Sequence, residues 1–243
     1  MRKLIGKVIR SLLAKEKLWE IKNRSNIPSI EWSINNLKKL GFESKCAIDV
    51  GAFEGEWSKM YKSIFPNAKM VMIEAQHGQE EILRKVTNQL EATSHHISLL
   101  GAEKGIAVDF HINSTVSSVL EEHSSNNFQK ERRHTQTLDG LVGNLTISPD
   151  FLKLDVQGYE LEILKGSKKT LKSVQFILCE VSLIDINKNC PLITEVFTYL
   201  DKIDFKPYDI CSFIRRPYDR SLWQTDVLFI RKGHYLSEIK SWN

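Results

Sequence analysis

The sequence predicts an α/β protein in which a mostly parallel sheet carries helices on both faces. Two observations lead there. Short, strongly apolar stretches (Cys46–Val50, Ala68–Ile73, Phe151–Asp155, Val174–Val181) alternate with stretches of helical periodicity through most of the chain. These strands also read as near-continuous apolar runs, the pattern of strands buried on both faces. At 243 residues the chain suffices for one sizeable domain, and it shows no repeats or low-complexity tracts.

Taken in order, Met1–Lys22 sets Arg2, Lys3, Lys7, Arg10, Lys15 and Lys17 among Ile5, Val8, Ile9, Leu12 and Leu13, which share one helical face. This predicts a helix packed on the domain with its lysines in water; the alternative is peripheral contact with an acidic membrane surface or partner. Pro28 breaks the chain, Ser29 or Ser33 begins a helix running to Leu40, and Gly41 ends it. Residues 1–42 thus read as an N-terminal helical extension and 43–243 as the main domain. Cys46–Val50 runs into a glycine-punctuated turn and then a helix from Glu56. The turn at Phe65–Asn67 leads to a second strand ending at Glu74, a helix over Gln79–Leu90 and a strand over His95–Leu99. After a turn at Gly101–Gly105, Ile106–Ile112 alternates like a more exposed strand. Asn113–His134, rich in Ser, Asn and charge, reads as a loop with at most one short helix, facing the substrate or covering it. The strand Phe151–Asp155 is followed by a turn at Gln157-Gly158 and a helix from Glu160 to about Leu171. Beyond the strand Val174–Val181 come a helix over Leu192–Ile203 and two strands, Lys206–Cys211 and Thr225–Arg231.

The net charge of +4 is compatible with an anionic ligand but too small to argue for nucleic acid. The four cysteines (Cys46, Cys179, Cys190, Cys211) have no CxxC or zinc spacing, and Cys46 and Cys179 read as small apolar fillers of buried strands. That usage suits a reducing compartment. With no apolar run of about 18 residues and no clean signal-peptide pattern, a cytoplasmic protein without a transmembrane segment is the expectation. The seven histidines show no metal spacing. His134 beside Arg132 and Arg133 reads as a solvated charge run, with binding of an acidic sugar or phosphate as the alternative.

Ligands of open α/β sheets bind beyond the carboxyl ends of the strands. Four acids fall at or beside such ends: Asp49, Glu74, Asp155 and Glu180. Charges beside apolar strands need partners or a ligand. The stretch Asp49–Gly55 has the pattern Gly-x-x-x-Gly, which by itself fits a ligand loop and an ordinary tight turn equally. Glu74, a little over twenty residues beyond Gly51, is placed to accept the ribose hydroxyls of an adenosine ligand. Phe53 occupies the position where a pyrophosphate needs close backbone approach, and Asp49 would repel it. S-adenosylmethionine therefore fits better than a nicotinamide dinucleotide.

At Phe151–Gly166 the residues become specific. Leu152-Lys-Leu-Asp-Val-Gln-Gly-Tyr-Glu-Leu-Glu-Ile-Leu-Lys-Gly166 resembles the signature of FkbM-type methyltransferases, preceded by Thr137-Leu-Asp139 and followed by an apolar strand reaching Glu180. Asp49–Gly55 resembles the family's cofactor loop, Met72-Ile-Glu74 its second-strand acid, and Thr225-Asp226-Val-Leu-Phe229 its closing strand. The resemblance spans roughly Cys46 to Arg231. It implies a class I methyltransferase Rossmann-like fold, seven-stranded with the last strand antiparallel, S-adenosylmethionine as donor, and a hydroxyl acceptor on a sugar or a glycosylated or polyketide product. The sequence departs from the usual pattern at Phe53, where Asn is frequent, and at Gln76, where Pro often follows the acid. The candidate cofactor-binding residues are Asp49, Gly51, Ala52, Phe53, Gly55, Ser58, Glu74, Ala75 and Ala102. Asp155 is the candidate general base and Glu180 the second candidate. Orienting the loop or capping the following helix is the structural alternative for Asp155. Asp155 with a neighbouring acid would also suit magnesium, although no spacing demands it. The rival functions are a nicotinamide-dependent sugar oxidoreductase or epimerase, and a non-catalytic binding module.

Overall fold

The computed structural model describes residues 27–112, 117–123, 129–143 and 145–241. The basic helix expected over Met1–Lys22 lies outside these residues. Helix α1 (Ile30–Lys39) starts at Ser29, whose hydroxyl accepts from the Trp32 N–H at 3.3 Å, and ends ahead of Gly41. The elements then run β1 (Cys46–Val50), α2 (Glu56–Ile64), β2 (Lys69–Glu74), α3 (Glu80–Gln89), β3 (Thr93–Ile97), β4 (Ala107–Ile112) and β5 (Gln129–His134). There follow α4 (Leu138–Val142), β6 (Phe151–Leu154), α5 (Glu160–Lys165), β7 (Phe176–Ser182), α6 (Ile193–Lys202), β8 (Phe205–Ile210), β9 (Ile214–Arg215), β10 (Leu222–Arg231) and α7 (Tyr235–Glu238).

The main sheet has the order β3-β2-β1-β6-β7-β10-β8, with the two-residue β9 added beside β10. Strands β3, β2, β1, β6 and β7 are parallel, and β10 runs antiparallel to both β7 and β8. The seven-strand path and its antiparallel final strand are as expected; the eighth strand is an addition. Strand order reverses between β1 and β6, so the carboxyl ends of these neighbours form the switch point of the sheet.

Alternate residues of the buried strands feed two cores. Ile48, Val50, Leu152, Leu154, Ile177 and Phe229 pack with Leu138, Ile163, Leu164 and Leu200 on one face. Ala47, Met72, Phe151, Phe176 and Leu228 pack with Ile34, Leu37, Tyr61, Leu83 and Val86 on the other. Phe151 lies among the rings of Trp57, Tyr61 and Phe176, with centroids 5.0 to 6.3 Å away.

Two local expectations change. Gln129–His134, expected within a loop, is a strand paired antiparallel with Ala107–Ile112 in a separate two-stranded sheet. Its sequence, Gln-Lys-Glu-Arg-Arg-His, carries no apolar alternation, and pairing with β4 prevails over propensity. The helix expected to reach Leu171 stops at Lys165, because Gly166 crosses another backbone so closely that a Cβ there would lie 2.2 Å from the Gly101 carbonyl oxygen. Thr137-Leu-Asp139 opens the short α4. Thr137 Oγ1 accepts from the Gly140 N–H, and Asp139 accepts from the N–H groups of Lys169 and Thr170, bracing the turn that follows α5.

Gly51 has φ +75°, and a Cβ added there would sit 1.8 Å from the Asp155 carbonyl oxygen. Gly105 has φ +85° with open space around it. In urea denaturation, Gly51→Ala is expected to cost about 3 kcal/mol or more through the added clash, against about 1 kcal/mol for Gly105→Ala, which meets only the backbone penalty.

Candidate active site

The carboxyl ends of the parallel strands border a cleft of about 360 Å³, within the range of small-molecule sites (about 300–1,000 Å³). Strand order sets its two sides. Glu74 ends β2 with Ala75 after it, and Ser98–Leu100 follow β3, on one side, while Glu180 of β7 and Trp223 and Gln224 of β10 stand on the other. Gly51, Phe53 and Asp155 lie between them, and Phe110 of β4 and Ser117–Val119 form a further wall.

The loop after β1 is fixed by backbone bonds from Gly51 N–H and Ala52 N–H to the Ile73 carbonyl, at 2.9 and 3.1 Å. Phe53 has φ +46°, a left-handed conformation unusual for an aromatic residue. Its N–H donates to Glu74 Oε2 at 2.8 Å, and the Gln76 N–H donates to Glu74 Oε1 at 2.8 Å. One carboxylate thereby clamps the loops after β1 and β2. Burial pushes the Glu74 carboxyl up from its ordinary range, and these two backbone donors oppose that shift.

Asp49 does not face the cleft. It shares strand parity with Ala47 and points to the α2 face, where it is fully buried. Ser58 Oγ donates to its Oδ2 at 2.7 Å, and Lys153, its register partner on β6, brings Nζ to 3.1 Å from Oδ1. Lys153 Nζ also donates to the Gly51 carbonyl at 2.8 Å and stands 3.5 Å from Asp155 Oδ2. Burial works against the charge of Lys153, but Asp49 and Asp155 outweigh it and hold the ammonium protonated.

Asp155, with its side chain 36% exposed, opens into the cleft. Gln157 Nε2 donates to Asp155 Oδ1 at 3.1 Å and to Glu180 Oε2 at 2.9 Å, and Gln224 Nε2 donates to the same Glu180 oxygen at 2.8 Å. Burial, reinforced by Asp155, Glu160 and Asp226, pushes the Glu180 carboxyl well above the ordinary range. Below this floor Glu160 Oε1 accepts from the N–H groups of Val156 and Gly158, at 3.0 and 3.2 Å. Its own carboxyl is pushed up to about 7, chiefly by burial.

Of the residues selected from the sequence, Gly51, Phe53, Glu74, Ala75, Asp155 and Glu180 line the cleft. Ser58 supports Asp49, Ala52 is buried in the core on the α2 side, and Gly55 is the left-handed residue that opens α2. Ala102 lies in a separate depression with Glu103 and Tyr159. Lys153, Gln157 and Gln224 were not selected. A lysine inside the apolar strand Phe151–Leu154 was the one available signal among these three. Among the described residues no three His, Cys, Asp or Glu side chains converge as a metal site, and no helix is long and apolar enough to cross a membrane.

A sheet of this order, antiparallel at its final strand and open at its switch point, has the class I methyltransferase architecture. Residues 49–207 match the methyltransferase FkbM domain. The chain belongs to that family of methyltransferases, whose methyl donor is S-adenosylmethionine. No curated protein matches the chain. Similar solved structures include a precorrin-6y methyltransferase of Geobacter metallireducens, at 11% identity and a TM-score of 0.48, covering 84% of this chain and 88% of that one. Another is Aeropyrum pernix fibrillarin with natively bound S-adenosyl-L-methionine, at 13% identity and a TM-score of 0.47, covering 81% and 74% respectively.

The folded Glu160 carboxyl keeps its proton up to about pH 7, whereas the unfolded one releases it near 4.5. Its contribution to stability is therefore complete below the lower value and lost as pH rises through the upper one. Urea denaturation between pH 4.5 and 8 is expected to show Glu160→Gln removing about 3 kcal/mol of the wild-type decline, since the amide oxygen still accepts from both backbone donors.

Proposed function

We propose that the protein methylates a hydroxyl oxygen of a sugar, or of a glycosylated or polyketide-type acceptor, with Asp155 as general base. The observation that carries this reading is the Asp155 carboxylate. It opens into the cleft at the switch point, oriented by Gln157 on one oxygen and faced by Lys153 on the other.

The residues of the cleft fit the donor. Glu74 offers a carboxylate to vicinal ribose hydroxyls, with one backbone donor already on each oxygen and lone pairs left over. Ile73, Leu99 and Phe110 give apolar walls for a flat base, and the acids of the opposite side suit a cation. Gly51, Phe53 and Ala75 complete the cofactor-binding set at the cleft, while Asp49, Ala52, Gly55 and Ser58 hold the loop from beneath. When bound, S-adenosylmethionine supplies an activated methyl group on a sulfonium.

The remaining work falls to the chain itself. Holding two reactants in line accounts for most of the acceleration available to such a displacement. Asp155 takes the proton of the acceptor hydroxyl as the new carbon–oxygen bond forms. Glu180, at the same floor, is the second acid–base group. Trp223 and Ile214, one at each strand of the β9–β10 ribbon, offer apolar surface to the acceptor. Four free, buried thiols suit a reducing cytoplasm.

Incubation with isotopically labelled donor and a panel of sugars and glycosylated products is expected to label oxygen; labelling confined to nitrogen or carbon contradicts the reading. In calorimetry with S-adenosylhomocysteine, Glu74→Ala is expected to lose about tenfold or more in affinity, as removal of a charged hydrogen-bond acceptor predicts. Asp155→Asn is expected to keep that affinity within a few-fold and to lower kcat by about 100-fold or more. Wild-type turnover by Asp155→Asn removes the base assignment.

A further inference from the structure

We infer that Gln157 is a positioning residue whose carboxamide holds Asp155 and Glu180 as one unit at the acceptor side of the cleft. The inference rests on the roles proposed above for those two acids. A side-chain amide nitrogen carries two hydrogens. Here one is directed at Asp155 Oδ1, 3.1 Å away, and the other at Glu180 Oε2, 2.9 Å away. No other donor bridges these two carboxylates among the described residues. Gln224 reaches Glu180 alone, and Lys153 takes Asp49, the Gly51 carbonyl and Asp155 as its partners.

The backbone supports the same conclusion. Gln157 has φ +58°, and Gly158 follows at φ +100°. A turn that needed only a left-handed residue would be served at lower cost by Gly or Asn. Gln157 is kept there by its carbonyl oxygen, which accepts from Ser118 Oγ at 3.0 Å and Asn187 Nδ2 at 2.8 Å. Segments from two different loops therefore fix the main chain in a costly conformation, and the side chain so presented is the one that bridges the acids. Backbone strain retained at a site and coupled to a specific contact is a signature of function rather than of folding.

The electrostatics explain why a bridge is needed. Asp155, Glu160 and Asp226 all raise the Glu180 carboxyl, with Lys153 the opposing cation. Two carboxylates this close repel each other when both are ionised. A donor shared between them favours the ionised forms and keeps Asp155 from swinging out into solvent.

The test follows the protonated carboxyl stretch by infrared spectroscopy from pH 5 to 9. The Glu180 signal is assigned by its loss in Glu180→Gln. Two variants then remove the amide: Gln157→Gly relieves the backbone strain, and Gln157→Met keeps the side-chain length. In both, the midpoint of the Glu180 signal is expected to rise by about one pH unit or more, because a hydrogen bond to the charged form is lost. A purely conformational role predicts instead that Gln157→Gly gains stability and leaves the midpoint alone. The inference is overturned if no Glu180 signal is found in this range, or if the midpoint stays within about 0.3 unit of wild type in whichever of the variants folds. Failure of the functional reading registers separately, as full turnover by Asp155→Asn, whatever the midpoint does.

Discussion

The site depends on one buried ammonium. Lys153 stands in the middle of the sheet, on the strand next to β1, with nowhere to place its charge except against Asp49, the Gly51 carbonyl and Asp155. Burying such a charge costs several kcal/mol unless it is paired and hydrogen-bonded. Each partner belongs to a different part of the site: the body of β1, the loop after it, and the end of β6. A shift of either strand by one residue would put Lys153 and Asp49 on opposite faces and leave both buried charges without their partner. The pair is weak as a source of net stability and strong as a specification of register.

Register then determines the cleft. With Val50 beside Leu154, Gly51 and Asp155 leave the sheet side by side, so closely that only a hydrogen fits where a side chain would start. The loop after β1 cannot rise over that contact and instead leans toward β2, where the Ile73 carbonyl and the Glu74 carboxylate take its amide hydrogens. The first glycine of Asp49–Gly55 thus serves a contact within the protein. It is the backbone approach to Asp155, rather than to a ligand, that excludes a Cβ.

The parts that were legible in the sequence are those governed by a strong local signal. Apolar runs placed β1, β2, β6 and β7, and the Asp155–Gly166 stretch placed the family; β3, the edge strand Thr-Ser-His-His-Ile, lies two residues earlier than its expected span. What escaped was decided by distant contacts. Gln129–His134 is polar throughout and becomes a strand only because β4 offers a partner. The end of α5 is set by Gly166 meeting Gly101, some 60 residues earlier in the chain. Asp49 looked like a rim acid because its position in the strand was clear while its facing was not. Gln157 and Gln224 carry no charge and follow no spacing rule, so their convergence on Glu180 exists only in three dimensions.

The small β4–β5 sheet is tied to the cleft through Arg133, whose Nη1 donates to the Ala75 carbonyl at 2.7 Å while its guanidinium lies 6.0 Å from the centre of the Phe110 ring. Ala75 and Phe110 both line the cleft. The outer sheet and the loop that holds the Glu74 carboxylate are thus mechanically one piece. Where two ligands press on one piece, their affinities are coupled, and the coupling must be equal in both directions. A displacement of the Phe110 wall is accordingly passed through a single arginine to the Ala75 carbonyl, one residue beyond the carboxylate of Glu74.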